Sequence, residues 1–174
     1  MKRFFGSVLV CCFWLPASLV VGQEVVSGLE ESEGTTLFWV VRHADRDGKK
    51  DALTQKGLER AEKLSRLAAP VKVDAVYSTD LNRTRLTAKP TAKEKKKEIL
   101  IYRKLTRAWF EAIKKKHRGK GVVLIVGHSN TVVPIVRGLG GKLDYEIGEN
   151  EFDKLFVVKV NHEKTTVARV EYGN

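Results

Sequence analysis

Apolar residues along this chain fall into short unbroken runs separated by stretches with helical spacing. Residues 37–41 (LFWVV) and 122–126 (VVLIV) have the length and continuity of strands covered on both faces. Residues 73–77 read as a further strand, residues 99–102 as a short apolar run, and residues 155–160 and 165–170 as a closing pair of strands. Between them, Leu58, Ala61, Leu64, Leu67 and Ala68 recur at helical spacing behind Thr54, which can cap a helix, and ahead of Pro70. Leu105, Ala108, Trp109, Ala112 and Ile113 mark one face of another helix. Residues 81–89 predict a short helix stopped by Pro90, and residues 131–139 a helix closed by Gly140 and Gly141. Strands alternating with helices predict an α/β layer fold with a largely parallel sheet.

The amino-terminal segment departs from this pattern. Lys2 and Arg3 precede an uncharged stretch over residues 4–21, with small residues near Gly22. A basic start, an apolar middle and a small-residue end predict a secretory signal over residues 1–22. The rival reading is an uncleaved membrane anchor, because the stretch approaches the ~20 apolar residues of a spanning helix. The protein is thus expected to be secreted or periplasmic, or held at a membrane through this segment alone. Residues 23–36 are polar and read as a linker, leaving one domain over residues 37–174. Both cysteines, Cys11 and Cys12, fall in the signal, so core packing rather than disulfides must hold the domain. Losing Lys2 and Arg3 and no acid takes the net charge from +11 to +9, which suits an anionic partner.

Candidate chemistry gathers at the ends of the apolar runs. Arg42 and His43 follow the first, Ser78 to Arg85 follow the second, and His128 follows the long run at residues 122–126. Ligands of open α/β sheets sit beyond the carboxyl ends of strands. Arg42, His43, Arg83 and His128 are therefore the candidate pocket for a phosphate dianion. His117 and His162 lack such contexts and read as surface residues. Lys93 to Lys97 and Lys114 to Lys120 read as solvated faces, with no interleaved aromatics to suit single-stranded nucleic acid. No nucleic-acid partner is expected. Four scattered histidines, with both cysteines in the signal, make no zinc site, and no P-loop is present.

The motifs in order resemble those of the histidine phosphatase superfamily, in its phosphoglycerate mutase-like branch. Arg42-His43-Ala44 matches an opening Arg-His-Gly, and Leu53, Thr54, Gly57 and Ala61 match Leu-Thr-x-x-Gly-x-x-x-Ala. Ser78, Arg83, Thr87 and Ala88 match the mid-chain signature, and Gly127-His128 the closing Gly-His. The resemblance spans about residues 37–141 and implies a three-layer α/β/α sandwich. It also implies a phosphohydrolase working through a phosphohistidine on His43, with no cofactor or metal. Arg42 and Arg83 would hold the phosphate oxygens through their planar forks, and His128 would donate to the same oxygens.

Two departures from the family pattern stand out. Ala44 replaces the usual glycine, and no acid sits where members carry the proton donor to the leaving group. Asp45, Asp47, Glu94 and Glu98 are the candidates, none of them in a family position. The expected substrate is a phosphorylated small molecule or a phosphorylated cell-envelope macromolecule. The missing acid keeps two other readings open: a non-catalytic phosphate-binding module, and a basic surface protein that binds a polyanion.

Overall fold

The computed structural model describes residues 34–173. The signal and most of the linker read from the sequence lie outside the described residues. The elements are β1 (Thr36–Arg42), α1 (Gln55–Ala68), β2 (Val73–Ser78), α2 (Asn82–Glu94) and β3 (Ile99–Ile101), followed by α3 (Arg107–Lys116), β4 (Gly121–Gly127), α4 (Ser129–Gly138), β5 (Lys154–Val160) and β6 (Thr165–Glu171).

The strands form one six-stranded sheet in the order β3-β2-β4-β1-β5-β6. The pairs β2–β3, β2–β4 and β1–β4 are parallel, while β5 runs antiparallel to both β1 and β6. The sheet is therefore mixed, and its expected parallel half, β3-β2-β4-β1, runs inward from one edge. That half explains the unbroken apolar runs. Every residue of β1 and β4 is buried, because helices cover both faces.

Strand alternation divides those residues between two layers of packing. Phe38, Val40, Val123 and Ile125 meet Phe110 and Ile113 of α3 and Val132, Ile135 and Val136 of α4. Leu37, Trp39, Val41, Val122, Leu124 and Val126 are equally buried on the other face. There α2 packs on β2 and β4, and α1 packs on α2. Burying each such side chain contributes roughly 1.5–3 kcal/mol, which makes this two-sided core the main source of stability.

Register positions the site. Arg42 at the end of β1 lies level with Gly127 at the end of β4, and Ser78 of β2 lies level with Val126. Three parallel strands thus end together, and the residues just past them share one edge.

The structure differs from the sequence reading in local ways. The second helix does not stop at Pro90 but runs to Glu94. Proline there removes one main-chain hydrogen bond, yet Thr87, Ala88, Thr91 and Ala92 are buried and hold the helix through it. Thr36, read as linker because it is polar, opens β1 and is buried, with its hydroxyl donating to the His117 carbonyl at 2.8 Å. Leu58 is exposed rather than on the packed face of α1, which Gly57, Arg60, Ala61, Leu64, Ser65 and Ala68 make up.

Candidate active site

The turn after β1 is fixed from three sides. The His43 amide donates to the Gly127 carbonyl at 2.9 Å, which extends the β1–β4 ladder by one residue. The Ala44 amide donates to Thr87 Oγ1 at 2.9 Å, and that hydroxyl donates to the Arg83 carbonyl at 2.8 Å. Thr54 caps α1 by accepting the Gly57 amide at 3.0 Å, while its own amide donates to the Asp45 carbonyl at 2.9 Å. A Cβ on Gly57 would lie 2.2 Å from that carbonyl, so only glycine lets α1 approach the turn. These bonds give a physical reason for the Thr-x-x-Gly and Arg-x-x-x-Thr spacings. Ala44 is fully buried and is not among the residues with positive φ, so alanine fits without backbone strain.

His43 is only 3% exposed. Its Nδ1 lies 2.8 Å from the Ala44 carbonyl and must donate to it, so the proton sits on Nδ1. Nε2 makes no hydrogen bond among the described residues and keeps its lone pair. Burial pushes the His43 pKa down to about 4, with the charges of Arg42 and Arg83 adding to the effect and the bond to Ala44 opposing it. The ring is therefore a neutral base at physiological pH.

Arg42 is buried, and its Nη1 donates to the carbonyls of Gly148 at 2.9 Å, Glu149 at 2.7 Å and Glu151 at 3.3 Å. Its guanidinium lies 4.2 Å over the Phe152 ring, which also stands 5.8 Å from the His43 ring. One edge of the fork is thus committed to the segment before β5, and buried Nε has no partner. Arg83, in the first turn of α2, donates through Nη1 to Asp51 at 3.0 Å, and its buried Nε is also unpartnered. Both guanidiniums line the cavity, where their forks can donate to a ligand oxygen.

His128 stands 5.5 Å from His43, ring to ring. Its Nε2 lies 3.0 Å from Thr79 Oγ1, and its Nδ1 lies 3.4 Å from Arg83 Nη2. An arginine can only donate, so Nδ1 accepts and Nε2 carries the proton. Burial, then the charge of Arg83, holds the His128 pKa down at about 4. His128 is also the N-cap of α4, its amide donating to Thr131 Oγ1 at 2.7 Å. Gly127 permits this turn, since a Cβ there would lie 2.7 Å from that hydroxyl. Thr131 thus takes part in the cap, while Asn130 lines the cavity.

Arg42, His43, Arg83 and His128 line one cavity of about 500 Å³ together with Arg46, Ser129, Asn130, Ile147 and Glu149. The four residues picked from strand ends thus meet in space. A larger cavity of about 870 Å³ lies by the opposite end of the sheet, near Gly34, Lys115 and Val160. Lys114 and His162 in its lining contact Glu111 and Glu163, and it holds none of the four. Among the described residues, no three of His, Cys, Asp or Glu gather as metal ligands.

The four acid candidates all fall away. Asp45 is locked to Arg60 at 2.6 Å; burial opposes its ionisation, but that bond and charge hold its pKa low overall. Asp47 pairs with Lys50 at 2.8 Å outside the cavity lining. Glu94 ends α2, roughly 16 Å along the helix from Arg83 at 1.5 Å per residue. Glu98 precedes β3, at the sheet edge opposite the site. His117 also differs from its surface reading. It is 3% exposed, with Nδ1 bonded to Asp74 and Nε2 2.9 Å from the Tyr77 hydroxyl. His162 is exposed as expected.

Three contributors escaped the sequence reading. Asp51 accepts the amides of Asn82 at 2.8 Å and Arg83 at 3.1 Å, capping α2 from a distant loop because Leu81 offers no side-chain cap. Thr79 orients His128, and Phe152 covers Arg42. The absent local cap was the one visible signal, but it did not say which acid would replace it.

Comparison with known proteins agrees with this geometry. The sequence model of the histidine phosphatase superfamily (branch 1) matches residues 38–106, a stretch holding Arg42, His43 and Arg83. No curated protein matches the sequence significantly. A mycobacterial glucosyl-3-phosphoglycerate phosphatase shares the fold with a TM-score of 0.61 at 11% identity, covering 80% of this chain and 99% of its own. A phosphoserine phosphatase from Entamoeba histolytica gives 0.57 at 12% identity, over 80% and 97% of the two chains. A phosphoglycerate mutase from Bacillus anthracis gives 0.55 at 16%, over 80% and 94%. Residues 38–106 are thus similar in sequence to the histidine phosphatase superfamily, and the fold is the one shared by these phosphatases and the phosphoglycerate mutase.

Proposed function

We propose that the protein is an exported phosphohydrolase that transfers a phosphoryl group to His43 and then to water, without metal. The observation that carries this reading is the state of His43. Its Nδ1 proton is committed to Ala44, while Nε2 makes no hydrogen bond among the described residues and the ring lines a cavity together with Arg42, Arg83 and His128. A neutral imidazole with a free lone pair is a competent nucleophile. Arg42 and Arg83 hold the non-bridging oxygens, and the amino terminus of α4 adds its positive end. The arriving dianion offsets the field of Arg83 and lets His128 take a second proton on Nδ1. His128 then donates to the oxygens as charge spreads over them.

The solved neighbours include phosphatases of small phosphomonoesters, which supports a phosphorylated small molecule as substrate. An open cavity also suits a phosphorylated group on a cell-envelope macromolecule. Export rests on the sequence pattern of residues 1–22. The reading is tested with a signal-free chain on p-nitrophenyl phosphate, chelator present, beside His43→Ala. Chelator-resistant turnover that disappears in the variant is the expected result. Equal activity in both proteins would sink the nucleophile, and phosphate binding without turnover across many esters would leave a non-catalytic binding module.

A further inference from the structure

The segment before β5 is built against the active site, and its side chains divide sharply in what they do. Arg42 Nη1 binds the carbonyls of Gly148, Glu149 and Glu151, so this backbone is fixed to the residue beside His43. The Glu151 carboxylate is used within the segment: it accepts the Gly148 amide at 2.7 Å and the Tyr145 hydroxyl at 2.8 Å. Asp153 pairs with Lys154 at 3.2 Å. Phe152 lies under the Arg42 guanidinium. Glu149 alone of these acids lines the cavity, 83% exposed, touching only Arg46 at 3.8 Å.

We propose that Glu149 is the proton donor to the leaving group, on the phosphatase reading above. The location suits the task. Glu149 and Arg46 line the same cavity as Arg42, His43, Arg83 and His128, and the Glu149 side chain is largely exposed, where a leaving group could meet it. In the first step His43 Nε2 bonds to phosphorus as the P–O bond to the leaving group breaks. That oxygen takes the proton of the Glu149 carboxyl. In the second step water attacks phosphorus, its proton passes to the Glu149 carboxylate, and the P–N bond breaks to release phosphate and restore both residues. The chain thus supplies its acid from a carboxy-terminal segment that its own Arg42 anchors.

The experiment compares Glu149→Gln with the wild type on two uncharged leaving groups, p-nitrophenyl phosphate and butyl phosphate. The parameter is kcat/KM, which stops at leaving-group release. Nitrophenolate leaves without a proton and butoxide does not. Glu149→Gln should therefore lose about 10²–10³-fold on butyl phosphate and less than about threefold on p-nitrophenyl phosphate. Glu149→Asp should recover part of the butyl phosphate loss, and both variants should melt with the wild type because the residue is exposed. Equal losses on the two esters, or none on butyl phosphate, overturn the assignment while leaving the His43 chemistry standing. Absence of His43-dependent turnover in the wild type on either ester overturns both.

Discussion

The sheet carries a buried histidine at each end, and the two are built differently. At the end opposite the cavity, His117 has both ring nitrogens bonded, to Asp74 and to the Tyr77 hydroxyl, and its carbonyl and Thr36 tie α3 to β1. At the carboxyl end, His43 has one nitrogen bonded and one free, and it lines a cavity with Arg42, Arg83 and His128. Equal burial therefore carries opposite meanings. A satisfied polar network stabilises, whereas a preorganised and incomplete one leaves room for a ligand to complete it. The basic clusters reinforce the contrast. Lys93 to Lys97 follow the far end of α2, and Lys114 to Lys116 close α3 beside β4's amino end. There they complement helix dipoles, so the net positive charge is not what makes the pocket.

Variants that exchange the two outcomes test this contrast. His43→Ala should lower turnover by about four orders of magnitude or more while thermal stability changes little, measured on p-nitrophenyl phosphate and by melting. Arg83→Lys keeps the charge but loses the planar fork, and should lower kcat/KM by about 10–100-fold. His117→Ala should do the reverse of His43→Ala. It leaves Asp74 and Tyr77 without their partner and should cost roughly 2–4 kcal/mol in denaturant unfolding, with near-normal turnover per folded molecule. Loss of chemistry in His117→Ala at full stability would break the distinction.

A further test concerns pH. The His43 and His128 rings should titrate near pH 4 by NMR, against 6.5 for an unperturbed ring. Between those values the folded state binds fewer protons than the unfolded one, so stability is full above pH 6.5 and declines as pH falls toward 4. Bound phosphate should raise the His128 midpoint. A His43 midpoint near 6.5 would contradict its buried, arginine-flanked setting.

Much of this was legible in the sequence because local rules and global packing agreed. The runs at residues 37–41 and 122–126 could only be two-sided strands, and their register then brings Arg42 level with Gly127. Motif spacing located Arg83 because Thr87, one turn later, bonds both Arg83 and Ala44. What could not be read came from long-range partners. His117 looks like a surface residue between lysines until α3 folds it over Tyr77. Pro90 looks like a stop until buried threonines and alanines on both sides carry α2 past it. Asp51 and Glu149 sit in loops far along the chain from the arginines they meet, with no periodicity to announce them.

The central claim is that His43 Nε2 forms a bond to phosphorus, and rapid acid-free quenching followed by peptide mass spectrometry tests it most directly. During turnover of an aryl phosphate, the account predicts an acid-labile, alkali-stable phosphoryl group on the peptide containing His43, absent in His43→Ala. Sustained turnover with that peptide unmodified at every quench time, or with the phosphoryl group on another residue, would contradict it.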